Sequence, residues 1–339
     1  MQRLRANGGA SLVTSMKFVK LWLLSLACLL TAQQQPIKAV EKVTVEKWMK
    51  ELSNWGRWGA ADQKGAMNLI TPATRKRAAA LVKEGVAVSL SRDMDIEKSA
   101  DNSRPFGHTM IAHGGLADPM FAMDTYTMSF HGAAMTHLDA QSHVLYQGKV
   151  YNGFSKDEIG PSGANKLAVT SFKDGFFGRG ILMDIPKLKG VKYLELSTPI
   201  YPEDLDAWEK RAGVKVGSGD IVFVRTGRWT RRAEKGAWNT DGASAGLHVS
   251  CARWFKQRDV AVIGSDAHAE LMPSPVPGIP YPMHQLFVVA MGMPMLDNCD
   301  LEPLSEAASA RNRWEFLLTV SPLSVPRGTG SPLNPIAIF

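Results

Sequence analysis

Gly219-Asp220-Ile221-Val222-Phe223-Val224-Arg225 is the stretch that decides the fold. A Gly-Asp turn leads into an apolar run in which no polar residue alternates. Such a run, rich in β-branched and aromatic residues, reads as a buried strand. Gly180-Ile181-Leu182-Met183-Asp184 and Asp259-Val260-Ala261-Val262-Ile263-Gly264 repeat the pattern. Helical segments, Pro202 to Ala212 and Leu247 to Gln257, lie between or beside them. Apolar strands separated by helices predict an α/β fold around a single core.

Toward the N-terminus, Val43 to Leu52 has helical spacing. Thr71-Pro72-Ala73 opens a second helix, with Thr71 as N-cap and Pro72 at its first position, running to about Lys83. Val86 to Leu90 is a short strand. Residues 93–120 are polar, contain Gly, Pro, His108 and His113, and read as a long excursion or lid. No repeat is visible and no linker divides the chain. The expected organisation is a leader and short linker over residues 1–39, then one catalytic domain over 40–339.

With 339 residues and 45% apolar content, the chain can bury a substantial core. Its formal charge of +7 invites a nucleic-acid partner. Arg3, Arg5, Lys17 and Lys20, with no acid among them, hold most of that excess. Beyond them only Arg75-Lys76-Arg77 and Arg231-Arg232 cluster, without interleaved aromatics, so no nucleic acid is expected. Met16 to Lys20 is a basic n-region and Leu21 to Ala32 an apolar h-region too short to span a bilayer. A Sec-type signal peptide is the expectation, cleaved after Ala32 or Ala39, with export to the periplasm or medium and no stable membrane anchor afterwards. Cys28 leaves with the leader. Cys251 and Cys299 remain, too few for a disulfide framework, and are expected as two buried thiols.

The chemistry concentrates in Thr136-His137-Leu138-Asp139-Ala140-Gln141-Ser142-His143. It follows a strand-like run, Tyr126 to His131. In an extended backbone His137 and Asp139 share a face. His143 has the same parity, and Ala140-Gln141-Ser142 is short enough to curl it back. Imidazole, carboxylate and imidazole together suit a divalent metal, zinc or manganese, able to activate water and polarise a carbonyl. The same residues would also suit a solvated strand face, and spacing alone does not choose between the two.

Asp266 follows the strand ending at Gly264 and reads as a functional carboxylate, because chemistry gathers beyond strand carboxyl ends. His268 and Glu270 read instead as a polar loop. His284 is delivered by a proline-rich loop, Pro273 to Pro282, to the start of an apolar helix, Leu286 to Met291, and could cap, pack or ligate. Gly328-Thr329-Gly330-Ser331-Pro332 lacks the Lys and the helix of a phosphate loop. No Gly-x-Ser-x-Gly elbow is present, which argues against an α/β serine hydrolase.

Taken together, these segments resemble the putative cyclase family of metal-dependent hydrolases, which includes bacterial kynurenine formamidase and isatin hydrolase. The family signature is His-x-Gly-Thr-His-x-Asp-x-Pro-x-His, matched here by Thr136, His137, Asp139 and His143. Trp55-Gly-Arg-Trp58-Gly59, Gly180 to Asp184, Gly219 to Gly227, Ile263 to Asp266, His284 and Gly328 to Ala337 are similar as well. The signature's first His falls on Ala133, its Gly on Met135 and its Pro on Gln141. A further His found in formamidases falls on Gln147, which weakens formylkynurenine as substrate.

The resemblance implies a swivelling β/β/α fold, commonly a homodimer or tetramer. It implies hydrolysis of a small amide, lactam, lactone or formamide by metal-activated water. His137 and Asp139 would hold the ion with His131 or His143, His131 compensating for Ala133. One ion is expected rather than two. His143 or His284 would carry the proton, with Asp266 and Asp297 orienting imidazoles; in a binuclear variant Asp297 would be a ligand. Trp55, Trp58, Phe106 and Phe121 would wall a pocket for a flat aromatic or heterocyclic substrate. A cyclase or lyase using the same ion, and a non-catalytic binding protein, are the alternatives.

Overall fold

The computed structural model describes residues 36–117 and 120–339, so the segment expected to be a signal peptide, with Cys28, lies outside the described residues. The framework is a nine-stranded sheet. Its strands are β1 (Ala87–Ser89), β4 (His137–Asp139), β5 (Phe176–Asp184), β6 (Ile221–Arg225), β7 (Val262–Ser265), β8 (Met295–Asp297), β9 (Glu315–Val320), β10 (Gly330–Pro332) and β11 (Ile336–Ile338). A separate two-stranded ribbon pairs β2 (Gly107–Ala112) with β3 (Met123–Thr127). The sheet runs β1-β11-β9-β5-β6-β7-β8-β4-β10.

The three apolar runs occupy its middle. β5, β6, β7 and β8 are parallel, with Val222 in register with both Ile181 and Ile263. Every residue of β6 is buried, as an uninterrupted apolar strand requires when both faces are covered. A Cβ on Gly264 would collide with the Phe223 ring, so the glycine is what lets these neighbours pack. The Pro202–Ala212 helix covers one face through Trp208, whose indole N–H donates to Leu182 O at 2.8 Å. The helix stops at Gly213, in the left-handed region that glycine adopts without strain.

Several boundaries differ from expectation. The Thr71-capped helix spans only Pro72–Ala79, after which Leu81 and Val82 make tighter turn bonds. The Leu247-to-Gln257 helix begins at Cys251, because Gly246–Leu247 instead pairs in parallel with Pro199–Ile200. Residues Pro282–His284 form a helical turn that widens into a π-helix over Gln285–Ala290. Part of the 93–120 excursion builds the β2–β3 ribbon, and the strand expected over Tyr126 to His131 ends at Thr127. His131 therefore stands on a loop, and strand parity does not place it. Cys251 and Cys299 are both free and buried.

β4 positions the chemistry. It lies antiparallel between β8 and β10, with His137 opposite Asp297 and Pro332, and Asp139 opposite Met295 and Gly330. Leu138, fully buried, points into the core and leaves His137 and Asp139 on the other face. The pairing with β8 is what brings Asp297 beside His137.

Candidate metal centre

Asp139 is 1% exposed, and four imidazoles converge on its carboxylate. From Oδ1, His131 Nδ1 is 2.9 Å away, His137 Nε2 3.4 Å and His143 Nε2 3.8 Å. From Oδ2, His284 Nε2 is 3.8 Å away; that nitrogen is also 3.6 Å from Asp297 Oδ2. Two donor triads share Asp139: His131 with His143, and His137 with Asp297.

Each imidazole is set by a contact on its far side. His137 Nδ1 lies 2.8 Å from Met135 O; a carbonyl only accepts, so Nδ1 carries the proton and Nε2 offers its lone pair to the cluster. His131 Nε2 contacts Thr329 Oγ1 at 3.2 Å, turning Nδ1 toward Asp139. A turn from Ala140 O to the His143 N–H, at 2.9 Å, curls His143 back, and its ring stacks on His131 at 3.9 Å. His284 Nδ1 lies 3.0 Å from Glu270 Oε1, which also accepts the His284 backbone N–H at 2.8 Å.

The donor set fits a divalent ion. Among the described residues, His131 Nδ1, Asp139 Oδ1 and Asp297 Oδ1 are buried without a hydrogen-bond partner. Buried polar atoms are ordinarily satisfied, and a cation would satisfy these. Within each triad the donor atoms lie within 4.8 Å of one another, a spacing that a shared ion can draw together. Imidazole with carboxylate suits zinc or manganese.

Electrostatics sorts the imidazoles. Burial, reinforced by the neighbouring imidazoles, pulls His143 down to about 4, leaving it neutral with a free lone pair. Burial also opposes charge on His284, but Asp297 and Glu270 outweigh it and hold the imidazole well above its ordinary range. For His137 the same contest, won by Asp139 and Asp297, ends at about 8, so a cation taking its Nε2 lone pair would displace a proton there. Burial alone would push the Asp139 carboxyl up; the surrounding imidazoles more than reverse that.

A cavity of about 630 Å³ opens onto the cluster, lined also by Arg104, Leu145, Asp241, His268 and Tyr281. The structure thus gathers His131, His137, Asp139, His143, His284 and Asp297, and leaves the other expected site residues outside. Asp266 is fully buried, and its hydrogen bonds go to the next strand's turn: it accepts from Thr226 N and Oγ1, Gly227 N and Arg228 N. Its place at a strand end is real, but its donors are backbone amides and a hydroxyl, so it orients no imidazole here. Glu270 orients His284 instead.

The aromatic wall is likewise corrected. Trp55 donates its indole N–H to Val289 O at 2.7 Å and borders a different surface groove; Trp58 stacks on Arg57. Phe106 packs on Tyr126 of the ribbon, and Phe121 is exposed. Tyr281 is the aromatic that faces the cavity. His268 and Glu270, read from sequence as loop polarity, both belong to the site. Their signal was the Asp-x-His-x-Glu spacing of 266–270, which gained meaning only once Glu270 met His284.

A mixed sheet and this cluster define the class. The chain belongs to the Cyclase family, described as Putative cyclase, whose profile matches residues 88–270. A crystal structure of a novel cyclase is 31% identical with a TM-score of 0.77, covering 86% of this chain and 99% of that one. Isatin hydrolase A from Labrenzia aggregata, bound to benzyl benzoate, is 22% identical with a TM-score of 0.55, covering 77% and 94%. Isatin hydrolase A from Ralstonia solanacearum is 22% identical with a TM-score of 0.52, covering 74% and 91%. The two isatin hydrolases share the fold. Among curated protein sequences, no relative matches.

Proposed function

We propose that the chain is a hydrolase of small amides, lactams, lactones or formamides, working with one zinc or manganese ion at Asp139, where the donor triads of His131 with His143 and of His137 with Asp297 meet. The observation that carries this reading is the buried Asp139 Oδ1, which has no hydrogen-bond partner among the described residues and three imidazole nitrogens within 3.8 Å. When bound, such an ion acidifies a water and polarises a carbonyl oxygen. The chain's own residues supply the remainder. His284, kept protonated by Glu270 and Asp297, delivers a proton from Nε2 to the leaving nitrogen or oxygen. Glu270, fixed at Nδ1, sets that ring's direction. The cavity volume of about 630 Å³ suits a small molecule.

The likeness to isatin hydrolases makes isatin the first lactam to try. Gln147 borders the surface groove beside Trp55 and brings no imidazole to the cluster, which supports a substrate other than formylkynurenine. The deciding experiment incubates the ion-loaded protein with isatin, a formanilide and an aryl lactone in ¹⁸O-labelled water. Hydrolysis places label in the acid product. A cyclase that closes a ring and expels water leaves the product unlabelled, and that result would sink the hydrolase reading.

Export, with cleavage after Ala32, is part of the proposal. Lys38 N–H donates to Tyr201 Oη at 3.1 Å and Lys38 O accepts from His248 Nε2 at 2.8 Å, contacts that a cut after Ala39 would remove. The mass of the mature chain decides. A homodimer or tetramer is supported by the ribbon, which exposes Met110, Ile111, Met123 and Tyr126. Light scattering showing a monomer at micromolar concentration would contradict it.

A further inference from the structure

Arg228 is a full charge with its side chain only 2% exposed. Burying a charge is costly, and a packed apolar residue is often at least as stabilising, so stability alone gives a weak reason for it. Its contacts give a better one. One guanidinium nitrogen donates to Asn298 Oδ1 at 2.5 Å; the other donates to Ala133 O at 2.5 Å and to Asp101 Oδ2 at 3.1 Å. A planar fork can bridge such partners, whereas a lysine cannot span them in the same way.

Asn298 continues the grip. Its Nδ2 donates to Gly132 O at 2.6 Å and to Met135 O at 3.3 Å, while its backbone carbonyl accepts from Thr136 Oγ1 at 2.8 Å. Every one of these bonds lands on residues 132–136. That loop has His131 at one end and His137 at the other, and the Met135 carbonyl gripped by Asn298 is the one that fixes the His137 tautomer. Asn298 also follows Asp297 directly and takes a left-handed φ of 55°. The turn carrying Arg228 is in turn anchored on Asp266, which accepts the Arg228 backbone N–H at 3.2 Å.

We propose that Arg228 and Asn298 are positioning residues for the ion centre: together they hold the 132–136 loop so that His131 and His137 face one oxygen of Asp139. The proposal rests on the ion-centre reading above. It gives this chain, with Ala133 inside the gripped loop, a way to bring His131 in from a position no strand register dictates.

The test uses the purified, ion-stripped protein titrated with Co²⁺, followed by visible absorption and chelator competition. Asn298→Gly removes the amide while keeping the left-handed backbone that glycine tolerates. The expected result is a Co²⁺ affinity about 10- to 100-fold weaker, as for other partners that orient metal ligands, with altered visible bands. Arg228→Lys should lie between the two. In a His131→Ala background Asn298→Gly should cost less, because one of the two ligands it positions is gone. A merely structural role would lower the melting temperature of the ion-free protein and leave the spectrum and affinity of the folded protein unchanged. That outcome in Asn298→Gly overturns the proposal while the centre stands. A wild-type chain that takes up no Co²⁺ overturns both.

Discussion

His131 Nδ1 and Asp139 Oδ1 lie 2.9 Å apart, and neither atom has a hydrogen-bond partner among the described residues. The pair is close without being aligned as a hydrogen bond, and both atoms are buried. An imidazole nitrogen and a carboxylate oxygen left in that state are better suited to share a cation than to serve each other.

Replacing His131 with Ala is therefore expected to weaken zinc binding by about 100-fold or more, at or beyond the upper end for residues that only orient ligands. Chelator competition measures it. Retained affinity would show that His131 is packed against the centre and not part of it.

Glu270→Gln reports on the proton carrier. Glu270 and Asp297 hold His284 well above the ordinary imidazole range, so His284 is charged at neutral pH and loses its proton as pH rises through that raised value. Removing the Glu270 charge lowers the value. The alkaline fall in kcat/KM should move to lower pH in the variant, and an unmoved limb would take His284 out of the acid role.

Asp101 ties the cavity rim to Arg228 and Arg232. Burial pushes its carboxyl up, but hydrogen bonds from Arg232 and Ser99 and the two guanidinium charges hold it below the usual range. A depressed folded value means stability present above the unfolded pKa of about 3.9 and lost as pH falls through the folded one. Asp101→Asn should cost about 3 kcal/mol at pH 7, shrinking below about pH 4. Urea unfolding at both pH values checks it; an equal cost at each would remove the ionic argument.

Leu138 is the buried residue between the two β4 ligands. Leu138→Ala should destabilise the chain by about 3 kcal/mol through lost burial and a residual cavity. A cost under about 1 kcal/mol, measured by urea unfolding, would mean that β4 is not anchored through this side chain.

The parts legible in the sequence were those with local signals. The apolar runs at 180–184, 219–225 and 259–264 became the parallel centre of the sheet because continuous apolarity reports burial on both faces. His137 and Asp139 shared a face because the strand period is two. His143 curled back because its turn is local. The rest depended on contacts distant in sequence. Asp297 reaches His137 through strand pairing, Glu270 finds His284 across a proline-rich loop, and Arg228 crosses to Ala133. Asp266 was misplaced because a strand end predicts a neighbourhood and not a partner. Trp55, Trp58, Phe106 and Phe121 were misplaced because aromaticity marks packing surfaces without saying which surface.

The most direct test of the central claim is metal stoichiometry by elemental analysis on the mature chain and on His137→Ala. The account predicts close to one zinc or manganese ion per wild-type chain and a large loss in the variant. No ion in the wild-type chain after reloading with either metal would contradict it.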